Sequence, residues 1–146
     1  MALRERGGHN YGDSHSDIRD ELRRYSSQNG NPATRFINAL CPCGAETFHV
    51  RLDDDAGAAV RVCQSCGAEH AIGDSAEYLA EAMLEECECP CAGASFEMSV
   101  GVALYAGSTD VKWLYLGLRC VHCGLVACYG DGKNEYPDYE DLLRRV

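Results

Sequence analysis

"CPCGAETFHVRL", residues 41–52, and "CPCAGASFEMSV", residues 89–100, align without a gap. Phe48 falls on Phe96, Val50 on Met98 and Leu52 on Val100. Farther along, "CQSCGAEHAIGDS" (63–75) aligns without a gap with "CVHCGLVACYGDG" (120–132). That match places Cys63 on Cys120, Cys66 on Cys123, Gly67 on Gly124 and Gly73-Asp74 on Gly130-Asp131. The blocks keep their order, and only the segment between them is longer in the second half. A duplicated unit varies most cheaply in loop length. The unit is Cys-x-Cys, a returning segment, then Cys-x-x-Cys-Gly.

Each unit supplies four thiols in two close pairs. Zinc takes four ligands in a tetrahedron, and cysteine pairs on tight turns can present two sulfurs to one ion. The glycine after the second pair suits a turn with positive φ. The chain has 146 residues and 10 cysteines. A chain this short buries a limited core, so two small units need staples. The N-terminal stretch has basic residues with no apolar run behind them, unlike a secretory signal. No stretch approaches the roughly 18 apolar residues of a membrane span. A reducing cytoplasm is therefore expected, where paired cysteines more often bind metal than form disulfides.

The segments between the pairs read as hairpins. "TFHVRL" (47–52) alternates Phe48, Val50 and Leu52 with polar neighbours, "DDDAG" (53–57) turns, and "AVRVC" (59–63) returns. In the second unit Phe96, Met98, Val100, Val102 and Leu104 alternate, "AGSTD" turns, and "VKWLYLGLRC" (111–120) returns. That return strand is apolar on both faces and is expected to be central. "HAI" and "LVACY" can each add a third strand.

This arrangement resembles the zinc ribbon, in which two cysteine turns clamp one zinc at the end of a small antiparallel sheet. The resemblance covers about residues 41–73 and 89–130. "CQSCG" and "CVHCG" fit the second knuckle, and "CPCG" is one residue shorter than the usual first knuckle. Two zinc ions per chain are expected, one held by Cys41, Cys43, Cys63 and Cys66, the other by Cys89, Cys91, Cys120 and Cys123. The expected fold class is a small α+β, metal-stapled chain of two pseudo-repeated zinc-ribbon antiparallel β units with short helices. Its expected divisions are a disordered tail (1–15), a helical N-terminal segment (16–40), unit one plus a helix (41–86) and unit two plus a C-terminal helix (87–146).

Cys87 and Cys128 remain. "CECPC" (87–91) offers an alternative pairing through Cys87, while the repeat favours Cys89 and Cys91. Cys128 matches Ala71 and has no ligand role in the repeat. His122 lies inside the second unit's Cys-x-x-Cys and His70 just after the first unit's, and each reads as a polar surface residue, a substitute for a thiolate or a hydrogen-bond partner of one. "SDIRDELRRYSS" (16–27) reads as a helix with Ser16 at its N-cap. "PATRFINAL" (32–40) reads as a second short helix opened by Pro32. "DSAEYLAEAMLEE" (74–86) places Tyr78, Leu79, Ala82 and Met83 at helical spacing. "PDYEDLLRRV" (137–146) carries acids early and arginines late, as a helix favours.

Net charge is −10, and the imbalance is local: residues 41–86 hold 2 basic and 10 acidic side chains. An acidic body repels phosphate backbones, whereas nucleic-acid binders show a basic footprint. No nucleophile–base pairing, phosphate-binding glycine loop or His-Glu-x-x-His stands in the sequence, and four thiolates close a zinc shell. The expected function is a non-catalytic, zinc-binding protein–protein interaction module of inhibitor or immunity-like character. Its acidic belt and the tyrosine-rich stretch 129–143 would meet a basic protein partner. The alternative is a nucleic-acid-associated zinc-ribbon factor using Arg19, Arg23, Arg24 and Arg35.

Overall fold

The computed structural model describes residues 3–146. Ten strands and two α-helices form among these residues. In chain order they are β1 (Arg4–Arg6), β2 (His9–Tyr11), α1 (His15–Gln28), β3 (Arg35–Asn38), β4 (Phe48–Asp53), β5 (Ala58–Cys63) and β6 (Glu69–Ala71). There follow β7 (Glu85–Glu86), β8 (Phe96–Leu104), β9 (Val111–Cys120), β10 (Leu125–Lys133) and α2 (Tyr139–Arg144). All ten strands join one sheet, in the order β1-β2-β10-β9-β8-β4-β5-β6, with β3 on β8 and β7 on β4. Every pairing is antiparallel.

The expected α+β chain of two zinc-ribbon units is thereby corrected: the molecule is one mostly β, continuous sheet. The cause is reciprocal strand exchange. β3, which leads into the first Cys-x-Cys turn, pairs with β8 of the second unit. β7, which leads into the second Cys-x-Cys turn, pairs with β4 of the first. The exchange is symmetric down to single bonds. Ala39 N–H donates to the Met98 carbonyl at 2.9 Å, and Cys87 N–H donates to the Val50 carbonyl at 2.8 Å. Those residues match one another in the repeat. β4 and β8 meet where Phe48 faces Phe96, on the pseudo-twofold axis.

The exchange also decides two expected helices. Residues 35–38 form β3, because pairing with Ser99–Val102 fixes four residues that a short isolated helix could hold only marginally. Gly101 leaves the space into which Phe36 packs: a Cβ there would lie 2.9 Å from the ring. Residues 74–86 give only a single 3₁₀ turn, Ser75–Glu77, before β7. Tyr78 and Met83 of the expected apolar stripe are exposed, while Leu79 and Ala82 are only half-buried, and Glu85 and Glu86 are held by β4 instead.

β9 is central, between β8 and β10, as its two apolar faces require. One face joins Leu116 and Leu118 to Phe48, Phe96, Met98 and Val100 in the main core. The other carries Tyr115 against Ile18 and Leu22 of α1. Gly117 permits that approach, since a Cβ would stand 2.5 Å from Ile18 Cγ2. Residues 4–11, expected within a disordered tail, form a hairpin that extends β10 through Leu125 and Val126. Residues 1 and 2 of that tail lie outside the described residues. α1 begins after Ser14 at the N-cap rather than Ser16.

α2 forms near the C-terminus with Asp138 as its cap, accepting from the Glu140 N–H at 3.0 Å. It returns to the first unit. Leu142 is fully buried, and Gly73 N–H donates to the Arg145 carbonyl at 2.8 Å. His70 Nε2 lies 2.6 Å from the same carbonyl, so the ring carries its proton on that nitrogen. No helix among the described residues is long and apolar enough to cross a membrane.

Candidate metal centres

The sheet brings the eight repeat cysteines into two groups: Cys41, Cys43, Cys63 and Cys66 (site 1), and Cys89, Cys91, Cys120 and Cys123 (site 2). Within each group all four sulfurs lie within 4.8 Å of one another. In site 1, Cys41 and Cys66 sulfurs are 3.6 Å apart, as are those of Cys43 and Cys63. In site 2, Cys89 and Cys123 are 3.5 Å apart and Cys91 and Cys120 are 3.6 Å apart. A disulfide would need about 2.05 Å. A tetrahedral zinc with bonds of about 2.3 Å separates its sulfurs by about 3.8 Å. Both groups therefore fit a four-coordinate metal ion, and soft thiolates suit zinc among the divalent ions.

The register explains the placement. Cys63 ends β5 opposite Phe48, and Cys120 ends β9 opposite Phe96. The row Cys63–Phe48–Phe96–Cys120 crosses three strand spacings, so the two cysteine backbones stand roughly 14 Å apart. The sites are separate, not dinuclear.

The knuckles repeat in backbone detail. Cys41 N–H donates to the Ala45 carbonyl at 2.9 Å, and Cys89 N–H to the Gly93 carbonyl at 2.8 Å. The residue after each Cys-x-Cys is left-handed: Gly44 has φ 96° and Ala92 has φ 73°. Among the described residues Ala92 is the only non-glycine with positive φ. The second knuckles close with Gly67 N–H on the Cys63 carbonyl at 2.9 Å and Gly124 N–H on the Cys120 carbonyl at 2.8 Å.

These turns aim N–H groups at sulfur. Cys63 Sγ accepts from Ser65 and Cys66 N–H at 3.4 and 3.5 Å, and Cys91 Sγ accepts from Gly93 N–H at 3.4 Å. The Cys66 N–H, with that of Ser65, draws the Cys63 thiol down to about 6 despite partial desolvation. The Gly93 N–H likewise lowers Cys91. Burial raises Cys89 and Cys120, to which a metal ion would have to supply the compensating charge.

Arg61 is a feature that sequence reading missed. It is 3% exposed and lies over the Phe48 ring, 4.7 Å from its centroid. Its Nη2 donates to the Val146 carbonyl at 3.2 Å, while Nε has no partner. Burial lowers its pKa, and the neighbouring Cys41 and Cys63 oppose that shift. A divalent metal bound by four thiolates would carry a formal charge of about −2, part of which this guanidinium would offset. The repeat places Leu118 at the matching position of site 2. The clue in the sequence is strand phase: in "AVRVC" the arginine shares the inward face with Cys63.

The leftover groups lie outside both thiol clusters. Cys87 matches Ala39, is buried, and is pushed up to about 11 by burial. Cys128 Sγ donates to the Gly130 carbonyl at 3.3 Å and is pushed up to about 12, mainly by burial. His122 is exposed. The tyrosines of 129–143 are largely used internally. Tyr129 packs edge-on against Phe96 at 5.4 Å, Tyr136 hydrogen-bonds Asp141, and Tyr139 lies under Arg35 at 5.3 Å.

No protein-family model matches this chain, no curated protein matches it, and no solved structure matches its fold.

Proposed function

We propose that this chain is a non-catalytic protein-binding module, stapled by two structural zinc ions and recognising a basic protein partner through its acidic surface. The observation that carries the reading is the pair of complete four-thiol shells, related by the repeat and placed at turns that join the two halves of the sheet. Four cysteines leave a tetrahedral ion no open position for substrate or water, which suits a structural role. Cys41, Cys43, Cys63 and Cys66 would tie the ends of β4 and β5. Cys89, Cys91, Cys120 and Cys123 would tie those of β8 and β9. Metal binding and folding are then one equilibrium.

Charge supports a basic protein over a nucleic acid. Residues 41–86 carry a charge of −8 from 2 basic and 10 acidic side chains. Of the arginines that the nucleic-acid alternative would use, Arg19 and Arg35 have no ion-pair partner among the described residues, while Arg23 and Arg24 are engaged within the chain. Arg23 pairs with Asp20 at 2.9 Å and covers Phe36. Arg24 pairs with Glu21, and Arg144 and Arg145 both reach Asp141.

Native mass spectrometry of the gently isolated chain, with and without nuclease treatment, tests this reading. Two zinc ions per chain and a nuclease-resistant, stoichiometric complex with a basic protein are expected. Loss of every partner on nuclease treatment would overturn it in favour of nucleic acid, and iron in the sites would overturn the assignment of zinc.

A further inference from the structure

The exchanged sheet leaves a cleft of about 520 Å³ between the β4–β5 turn, the 72–78 segment and the β9–β10 end. Its floor is apolar, built by Leu52, Leu114 and Leu116, with buried Ile72 beside them. Its rim carries four carboxylates, Asp54, Asp55, Asp74 and Glu135, against one ammonium, Lys133, while the Asp131 carboxylate turns to the α1 face of the sheet. Gly132 keeps the mouth open: a Cβ built there meets no atom within 4 Å.

The rim is short of cations. Asp131 is satisfied from the α1 side, accepting from Tyr25 Oη at 3.0 Å and Trp113 Nε1 at 2.9 Å. Lys133 stands 3.6 Å from Glu135. Asp54 receives only the Asp131 N–H at 3.0 Å, and Asp74 only the Asn134 amide, at 3.2 Å for the nearer oxygen. Among the described residues Asp54, Asp55 and Asp74 have no lysine or arginine partner within ion-pair distance. Burial raises both the Asp54 and Asp74 carboxyls, the state that an added cation relieves.

We infer that this cleft is the docking site for a lysine or arginine side chain borne on an exposed segment of the protein partner. The stem lies along Leu52, Leu114 and Leu116, and the cationic head sits among the rim carboxylates. Long basic side chains have this two-part character, an aliphatic stem with a charged tip. A metal ion would gain nothing from the apolar floor, and a phosphate chain would meet repulsion at the rim. The inference rests on the proposed function and supplies its contact point.

The test titrates the full metal-loaded chain with fluorescent, acetylated peptides in an extended background, read by anisotropy. The centre of each peptide is lysine, arginine or uncharged norleucine. Lysine and arginine peptides are expected to bind about ten-fold or more tightly than the norleucine peptide, and to weaken as salt rises. Gly132→Trp, which plugs the mouth, is expected to abolish that binding with metal content unchanged. Should the tryptophan disturb folding, Asp55→Asn combined with Glu135→Gln tests the rim through two exposed side chains. Equal binding of the norleucine peptide overturns the inference, as does a Gly132→Trp chain that binds normally. Spermidine competing as well as the lysine peptide also overturns it, in favour of a small-polyamine site. A folded Gly132→Trp chain that still forms the native partner complex overturns the cleft and leaves the proposed function standing. A wild-type chain that binds the lysine peptide selectively but forms no protein complex overturns the proposed function instead.

Discussion

The two first knuckles offer a close comparison: they repeat the same turn and differ at two residues, Gly44-Ala45 against Ala92-Gly93, of which only the first is left-handed. Position 44 is glycine at φ 96°, and its repeat mate Ala92 stands at φ 73°. A residue with a Cβ pays roughly 1–2 kcal/mol to enter the left-handed region. Glycine gives back roughly 0.4–1 kcal/mol through a more flexible unfolded chain. Ala92→Gly should therefore stabilise the protein by about 0.5–1 kcal/mol, a rise in Tm of about 2–4 °C per kcal/mol for a chain this size. Ala92 is exposed, so little packing is lost with its methyl. Gly44→Ala should destabilise, and by rather more, because φ 96° lies farther from the left-handed minimum near about 57°. A Cβ at Gly44 meets no atom within 4 Å, which leaves backbone strain as the sole cost. Thermal denaturation of the zinc-loaded variants, with metal content verified, reads both effects. A fall in Tm for Ala92→Gly, or an unchanged Tm for Gly44→Ala, would refute the reasoning.

Cys63→Ser should reduce bound metal to one per chain. It should also weaken both halves together, because a structural zinc is worth about 10–16 kcal/mol in small domains, comparable to a whole fold. Two separate unfolding transitions would show that the strand exchange does not couple the halves. Gly117→Val drives a side chain into Ile18 Cγ2, 2.5 Å from the Cβ, and Leu22 Cγ at 3.0 Å. A loss of about 2–3 kcal/mol is expected, with a shift in emission from Trp113, the single tryptophan, as α1 is pushed off the sheet. Asp74 has a raised carboxyl pKa, chiefly from burial, so its folded form holds the proton more firmly than the unfolded chain does. The resulting cost is absent below the ordinary value of 3.8 and present in full above the raised one. Asp74→Asn should thus stabilise at neutral pH, and its advantage in denaturant titrations should shrink as pH falls toward that value. Arg61→Leu reproduces in site 1 the residue found at site 2, Leu118, and removes the buried positive charge. Chelator competition should then strip site 1 faster than in the wild type, and unchanged release would show that the guanidinium does not offset the thiolates.

The two four-thiol clusters were legible because their chemistry is local. Two sulfurs on one tight turn face the same ion whatever surrounds them, so spacing and repetition sufficed to group all eight cysteines as the structure groups them. The hairpins β4–β5 and β8–β9 were legible for the same reason, through alternation and a turn between neighbours in sequence. Arg61 was not, although its phase with Cys63 pointed inward. An inward arginine in a strand is usually a reason to doubt the strand, and only a nearby group of negative charge makes it sensible.

The overall architecture was hidden because its deciding contacts join segments far apart in the chain. Phe36-Ile37 could cap a short helix or lie beside a strand. Nothing within residues 32–40 reveals that Val100 and Gly101 wait to pair with them. "EYLAEAMLEE" has helical spacing, yet the Val50 carbonyl and the edge of β4 claim Glu85, Glu86 and the Cys87 N–H. One register of the repeat explains both outcomes. If β3 adds to β8, the pseudo-twofold at Phe48–Phe96 obliges β7 to add to β4. A pair of independent ribbons would have left the free edges of β4 and β8 exposed to pairing with other chains. In the exchanged form each unit covers the other's edge, and each Cys-x-Cys knuckle follows a strand paired with the other half. The duplication thus ties the halves together through the junction and also builds two four-thiol clusters, each able to hold a metal ion. Across that junction Asp54 of the β4–β5 turn accepts from the Asp131 N–H of β10 at 3.0 Å, so the same exchange that overturns the two-ribbon expectation brings both units to the walls of the acidic cleft.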